Sequence, residues 1–476
     1  MNSSPSVWQR EFLRLSQQLP SEWLLRWRSW QRRLGPARIL VASFAGLILV
    51  GAFLLTLPAA STGESPGFVD ALFTATSATC VTGLTVVDTG TTFSRFGQIV
   101  ILVLIQLGGL GLMTFSTLLL YLLGGGRLSL SSRDLLQETF SQGPVQNLKA
   151  LLKTIFLATF TIELVGAMLL TLRFMRDLPS STAVYHGIFH AISAFCNAGF
   201  ALYSDNLEKY RGDLLVNVTI TSLIIIGGLG FVVIFEINRR LRNDSRTPSL
   251  HVRLVLRTTA WLIACGAAAI LLLEMNNTMA GLPWETRLLT SYFQSVTART
   301  AGFNTLNIGS LSDATLFILI ILMFIGASPG SCGGGIKTTT AAVLLALIRS
   351  RFGNEENVHL LYRRIPNDVL ARAISVVFFA SVLIALFTFL LLLSETGGMG
   401  HQQTRGLFLE LFFETTSAFG TVGLSTGITP KLTPFGRILI IMVMFIGRLG
   451  PLTVALAVGP QAKTRFTYAR ENVLVG

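Results

Sequence analysis

Four short stretches of the chain share one pattern, and they decide the fold. They are Ser77–Ala–Thr–Cys–Val–Thr–Gly83, Ser193–Ala–Phe–Cys–Asn–Ala–Gly199, Ser295–Val–Thr–Ala–Arg–Thr–Ala–Gly302 and Ser417–Ala–Phe–Gly–Thr–Val–Gly423. The serine stands six residues before the glycine in three copies and seven residues before it in the third copy, and leucine or phenylalanine follows each glycine. A second glycine recurs farther along each copy, at Gly108, Gly227, Gly326 and Gly447. Repetition on this scale indicates one symmetric assembly instead of separate domains.

The composition is that of a membrane protein. Hydrophobic residues make up 51% of the 476 residues and charged residues only 13%, which leaves too few charges to cover a soluble protein of this size. The net charge of +13 does not indicate nucleic-acid binding, because the arginines stand between apolar blocks and form no basic patch interleaved with aromatic residues. The four cysteines lack metal-ligand spacing.

Eight apolar stretches are long enough to cross a bilayer, which takes roughly 20 helical residues. They are Ile39–Leu57, Phe96–Leu123, Thr154–Leu172, Leu214–Phe235, Thr258–Leu273, Ala314–Ile336, Ala373–Ser394 and Ile438–Val458. The spans form four successive pairs, and between the two spans of each pair lies a stretch too short to cross the bilayer. These stretches are Phe68–Thr79, Ala183–Cys196, Leu288–Thr297 and Leu407–Phe419. The sequence therefore predicts an all-α integral membrane fold with eight transmembrane helices and four re-entrant pore helices. Four parallel helix–pore loop–helix repeats would surround a pseudo-fourfold axis.

The predicted repeats cover residues 37–126, 148–240, 251–349 and 366–460, with a segment 1–36 before them and a tail 461–476 after them. Arginines are concentrated in residues 10–38, 239–246 and 349–364, which predicts that these parts are cytoplasmic. Both termini would then lie in the cytoplasm, and the pore loops would enter from outside. Trp23, Trp27 and Trp30 have helical spacing and predict either a helix in the membrane interface or a cytoplasmic packing helix.

The four motifs suit the binding of a dehydrated cation. Backbone carbonyls can replace the hydration shell of an ion when extended segments surround one axis, and glycine allows close approach because it has no Cβ. Each pore helix would direct its partial-negative C-terminal end toward the cation. A small-residue helix contact is the alternative for any single copy. The predicted lining is Val81, Thr82, Gly83, Asn197, Ala198, Gly199, Thr300, Ala301, Gly302, Thr421, Val422 and Gly423.

These motifs resemble the Trk/Ktr/HKT superfamily of potassium transporters, particularly the membrane subunit of Ktr-type uptake systems. The resemblance covers nearly the whole chain after residue 36 and is strongest at residues 76–84, 297–305, 333–340 and 417–425. It implies a pseudo-fourfold pore in each subunit, a homodimer, and a cytoplasmic nucleotide-binding ring that controls opening. We expect the protein to lie in the lipid of a prokaryotic inner membrane. In that superfamily, glycine in all four filters accompanies potassium selectivity and serine in the first accompanies sodium permeation. Gly83 therefore favours potassium as the transported ion, and sodium is the second candidate. No covalent cofactor is expected.

A glycine-rich break follows the sixth predicted span. Non-helical backbone is tolerated at membrane depth where it lines a water-filled cavity, so we expect a plug below the filter; the alternative is a kink at Pro329. The resemblance identifies this stretch with an intramembrane gate loop. The predicted gate residues are Ala327, Ser328, Pro329, Gly330, Ser331, Cys332, Gly333, Gly334, Gly335, Lys337 and Arg448.

Two gate residues carry charge, and their roles have alternatives. Arg448 is the single charge in the last predicted span, and facing the pore it would be an electrostatic barrier to cations. Its alternative is an ion pair with Glu163 or another buried acid, whereas Lys337 could instead extend to the cytoplasmic edge. Arg299 and Glu414 flank filter segments, where we expect them to brace the loops.

Other functions find less support in the sequence. The main alternative is an alternating-access secondary transporter that couples potassium to sodium or protons, although such folds often have inverted repeats and these repeats are parallel. His186 and His190 have metal-ligand spacing without a third ligand. No catalytic motif or convergent carboxylate constellation indicates an enzyme.

Overall fold

The computed structural model describes residues 36–111, 148–241, 248–400, 402–451 and 453–454. These residues are mostly helical, as predicted, and they include one two-stranded hairpin, β1 (His359–Leu360) with β2 (Arg363–Arg364). The predicted helix around Trp23, the end of the first predicted repeat and the tail 461–476 lie outside the described residues.

Each predicted repeat contains three helices in the same order, a first helix, a short second helix and a third helix, which are called the outer, pore and inner helix below. The outer helices are α1 (Pro36–Leu55), α4 (Leu148–Phe174), α8 (Leu250–Glu274) and α12 (Asn367–Thr396). The pore helices are α2 (Phe68–Thr79), α5 (Ser180–Phe195), α9 (Trp284–Thr297) and α13 (Leu407–Gly420). The inner helices are α3 (Arg95–Gly109), α6 (Leu214–Leu229), α10 (Asp313–Phe324) and α14 (Pro434–Leu449). Two further helices, α7 (Phe231–Leu241) and α11 (Thr338–Phe352), follow the second and third inner helices.

All four inner helices begin at a polar capping residue. The side chains of Ser94, Asp213, Ser312 and Thr433 each accept a hydrogen bond from the backbone N–H three residues later. Such caps satisfy one of the donors left free in the first helical turn. The same local chemistry therefore starts the same element in every repeat.

Three described helices are long and apolar enough to cross a membrane: Ile155–Phe174 within α4, α8 and α12. A fourth span results if α6 and the start of α7, which are bent by 97° at their junction, count together. The apolar helices α3 and α10 and the stretch Leu40–Leu55 of α1 are shorter. The count of eight spans therefore stays a prediction.

Three predicted spans are not continuous helices. In the first, second and fourth repeats the inner helix ends at Gly109, Leu229 and Leu449, and a glycine with left-handed φ follows within two residues: Gly111 (78°), Gly230 (93°) and Gly450 (84°). Left-handed backbone ends a right-handed helix, and glycine adopts it without steric cost. The predicted span Ala314–Ile336 is also interrupted, because α10 ends at Phe324 and a loop follows up to α11.

The pore helices bury polar side chains, whereas the outer helices expose large apolar ones. The pore helices bury Thr76, Ser77, Gln294 and Glu414 completely. The outer helices expose side chains such as Phe53 (65%), Trp261 (70%), Leu272 (69%) and Phe389 (56%). Large exposed apolar surfaces indicate contact with lipid or protein, and buried polar groups in membrane proteins face the interior of the bundle.

Candidate functional site

The four motif glycines form a closed ring. A methyl group added at Gly83 would stand 2.5 Å from the carbonyl oxygen of Ala198, and one added at Gly199 would stand 2.7 Å from that of Ala301. A methyl group added at Gly302 would stand 2.6 Å from the carbonyl oxygen of Val422, and one added at Gly423 would stand 2.1 Å from that of Thr82. Each glycine therefore contacts the residue before the next glycine, and the fourth repeat closes on the first.

The four predicted filter segments, called the filter below as the predicted gate residues 327–335 are called the gate loop, share an unusual backbone conformation. The residue two places before each glycine has positive φ: Val81 (57°), Asn197 (59°), Thr300 (70°) and Thr421 (49°). The glycines are also left-handed, with φ between 69° and 94°. Positive φ is strained for β-branched residues such as valine and threonine, and strain of this kind is concentrated at functional sites.

Hydroxyl groups of the pore helices brace the filter. In the first and fourth repeats, Ser77 and Ser417 accept hydrogen bonds from the backbone N–H groups of Gly83 (3.0 Å) and Gly423 (3.1 Å). In the second repeat, Ser193 instead donates to the carbonyl of Phe200 over 2.8 Å.

The third repeat departs from the sequence alignment. Ser295, which the sequence pairs with the other serines, donates to the carbonyl of Ile263 on the outer helix α8. Thr297 takes the bracing position and donates to the carbonyl of Phe303 over 2.5 Å. Ser295 stands two residues before Thr297 on the same helix, so the two side chains face different directions.

The second glycine of the pattern allows the inner helix to lie against its own pore helix. Methyl groups at Gly108, Gly227 and Gly447 would stand 2.0, 1.9 and 2.0 Å from the carbonyl oxygens of Thr79, Phe195 and Phe419, respectively. Each of these carbonyls lies four residues before the filter glycine. In the third repeat Gly326 contacts the carbonyl of Gly334 in the gate loop instead.

An acidic vestibule opens above the glycine ring. It is a cavity of about 270 Å³ whose lining includes the four filter glycines together with Asp88, Asp205 and Glu208. Burial raises the pKa of Glu208, Asp205 adds to this shift, and Arg211 and a hydrogen bond from Asn304 oppose it. Like-signed charge at the mouth of a cleft concentrates counter-ions. Sequence reasoning missed these acids because their positions after the filter differ between repeats.

None of the predicted gate residues lines this vestibule. The loop passes along the second inner helix, where the N–H groups of Ser328 and Cys332 donate to the carbonyls of Gly228 (3.1 Å) and Gly227 (3.3 Å). It also contacts two filter residues: the Gly334 N–H donates to Oγ1 of Thr421 over 2.9 Å, and a methyl group at Gly333 would stand 2.1 Å from Oγ1 of Thr300. The loop is therefore seated directly against the filter.

The two basic gate residues bind backbone carbonyls. The guanidinium of Arg448 donates to the carbonyls of Cys332 and Gly108, and Nζ of Lys337 donates to the carbonyl of Gly333 over 2.7 Å. Glu163, which is 4% exposed, accepts hydrogen bonds from Gln106 at 3.1 and 3.3 Å. The hydrogen-bond partners of Arg448 are thus carbonyls, and the alternative of an ion pair with Glu163 or another buried acid is not seen among the described residues.

The remaining candidates have structural contacts. Glu414 accepts a hydrogen bond from Thr429 beyond the filter, and Arg299 has Thr259 at 3.5 Å. Both ring nitrogens of His190 are engaged, with the His186 carbonyl at 2.8 Å and the Leu202 N–H at 3.3 Å. Within the described ranges, no group of three potential metal ligands occurs.

Comparisons with known proteins are consistent with this geometry. The family profile "TrkH: Cation transport protein" matches residues 35–465. The chain is 42% identical to the Ktr system potassium uptake protein B of Bacillus subtilis (strain 168), over 93% of this chain and 97% of the relative. It is 36% identical to the potassium/sodium uptake protein NtpJ of Enterococcus hirae, over 94% and 98% of the two chains. The crystal structure of the potassium transporter TrkH from Vibrio parahaemolyticus has the same fold, with a TM-score of 0.70 at 16% identity over 89% of this chain and 84% of that chain.

Proposed function

Because the chain belongs to the TrkH cation transport family, whose members are transporters and not enzymes, we propose that it takes up potassium through the ring formed by Gly83, Gly199, Gly302 and Gly423. The observation that carries the proposal is the closed ring itself. Each glycine lies against a backbone carbonyl of the next repeat, so the filter segments surround one axis. Carbonyls arranged in this way can replace the hydration shell of a cation.

Potassium is the proposed ion for two reasons. The relative from Bacillus subtilis is named as a potassium uptake protein. Glycine occupies the ring position in all four repeats, so every segment can adopt the same close approach. The name of the Enterococcus protein includes sodium, which makes sodium the ion to test against potassium.

The proposed transport path has three parts. Cations collect in the acidic vestibule beside Glu208, lose water within residues 81–83, 197–199, 300–302 and 421–423, and are stopped by residues 327–335. Arg448 and Lys337 would add positive charge at this barrier, which opposes the passage of cations. An electrostatic barrier and a plug together would keep the pathway closed until the loop moves.

The loop would be controlled from the cytoplasm. The name of the Bacillus subtilis relative describes a Ktr system, which supports a partner subunit, and the resemblance in the sequence supports a nucleotide-binding ring acting on a homodimer. Arg349 and Arg351 lie in the last turn of α11, Arg363 and Arg364 form β2, and all four are exposed. They would place this side of the protein toward the cytoplasm.

The decisive experiment is growth rescue. Cells that lack their own potassium uptake would express this chain with and without a Ktr-type regulatory subunit at limiting potassium, in the presence and absence of sodium. We expect growth that depends on the chain. Failure of growth in all four conditions, with the protein present in the membrane, would refute potassium uptake.

A further inference from the structure

Two filter threonines contact the gate loop without an intervening cavity. Oγ1 of Thr421 accepts the hydrogen bond from the N–H of Gly334 over 2.9 Å, and Thr421 is fully buried. Beside it, Gly333 fits against Thr300 so closely that a methyl group would stand 2.1 Å from the hydroxyl oxygen. The underside of the filter and the upper face of the loop are therefore one packed surface.

The four repeats differ at the position that makes this contact. Two residues before the glycine stand Val81, Asn197, Thr300 and Thr421, all with left-handed φ. Val81 has no polar side-chain atom, and the amide of Asn197 lies 3.2 Å from the hydroxyl of Thr300. Of these four side chains, only that of Thr421 has a hydrogen bond to the gate loop among the described residues. Val81 shows that this backbone conformation does not require a hydroxyl.

The hydrogen bond matters because of where its donor lies. Gly334 is buried, and a buried N–H without a partner has a large desolvation penalty. Thr421 supplies the partner as long as the loop is closed. Once the loop leaves, water that enters the pathway can take the place of the hydroxyl. Loss of the hydroxyl therefore raises the free energy of the closed state more than that of the open state.

We propose that Thr421 is a positioning residue for the gate: its hydroxyl holds the loop at Gly334 beneath the filter, and release of this hydrogen bond is a step in opening. The inference rests on the proposed function and adds a direct link between the filter and the gate. Because the equilibrium between closed and open loop depends on the difference between the two states, removal of the hydroxyl favours the open loop.

The test compares Thr421→Val with Thr421→Ser in the full chain without a regulatory subunit. Valine has the shape of threonine and is already present at the corresponding position of the first repeat, whereas serine keeps the hydroxyl. Rubidium uptake into liposomes of defined lipid, in the absence of sodium, measures basal flux. We expect the valine variant to exceed the wild type about fivefold, the factor that corresponds to one neutral hydrogen bond. We expect the serine variant, which keeps the hydroxyl, to show lower basal flux than the valine variant.

A second variant acts from the side of the loop. A methyl group at Gly334 would stand 2.6 Å from Oγ1 of Thr421. Because this contact is too close, Gly334→Ala should displace the loop and also raise basal uptake. This variant decides the question if the valine variant does not fold. Basal uptake by the valine variant no higher than that of the serine variant, or uptake by Gly334→Ala no higher than that of the wild type, would overturn the inference. A wild-type chain that carries no rubidium and rescues no growth with its regulator would instead refute the proposed function.

Discussion

The ring of glycines predicts a specific loss of selectivity in Gly83→Ser. Gly83 has φ of +94°, and the new Cβ would stand 2.5 Å from the carbonyl oxygen of Ala198. To reach 3.0 Å, below which real Cβ atoms are essentially never found, one filter segment must move by about 0.5 Å. A displacement of this size is the limit within which a binding site keeps its geometry.

The expected effect is a change in ion preference. A shift of about 0.5 Å in one quarter of the ring should lower the ratio of potassium to sodium uptake about tenfold, which corresponds to about 1.4 kcal/mol. The left-handed conformation adds about 1–2 kcal/mol of backbone strain to any residue with a side chain. This strain lowers stability and must be separated from the effect on the ring.

Gly427→Ser is the matched control. Gly427 has the same φ of +94°, but a Cβ there would meet nothing within 4 Å. Both variants carry the same backbone strain, and only one disturbs the ring. Tracer uptake of potassium and sodium, normalised to the amount of protein in the membrane, gives the two ratios. Equal ratios in the two serine variants would refute the close-packed ring as the source of selectivity.

Three further predictions concern the gate, the vestibule and the packing of the inner helices. Arg448→Ala removes a positively charged side chain and its hydrogen bond to the carbonyl of Cys332. Basal flux should therefore rise about tenfold, as expected for a hydrogen bond to a charged group. A fall in flux at equal expression would contradict this. Because the pKa of Glu208 is raised, its negative charge is lost at a higher pH than in an ordinary glutamate. Uptake at limiting potassium should therefore decline as the pH on the vestibule side falls, and Glu208→Gln should lower uptake about twofold at neutral pH and remove that part of the pH profile. Gly227→Ala would place a methyl group 1.9 Å from the carbonyl of Phe195 and should lower the thermal midpoint by several degrees, which a melting curve of the purified protein measures.

Much of the site could be predicted because its chemistry is local. In each repeat the short apolar stretch, the serine and the glycine are neighbours in the sequence. Periodicity and spacing are therefore enough to identify them. The helix caps Ser94, Asp213, Ser312 and Thr433 are likewise local signals. The pattern failed in the third repeat, where Thr297 takes the bracing position and Ser295, two residues earlier, faces the outer helix.

By itself, the sequence determined a mostly helical, multi-pass membrane protein with four similar units and a glycine at the same point in each. Only the tertiary structure decided that Gly83 neighbours Ala198 and that Gly423 neighbours Thr82, that Arg448 binds the carbonyl of Cys332 instead of Glu163, and that Thr421 touches the gate loop. These pairs are about 90 to 340 residues apart in the chain. The physical reason is that local sequence limits the conformation of each segment, whereas contacts between distant segments depend on how the four repeats pack around their common axis.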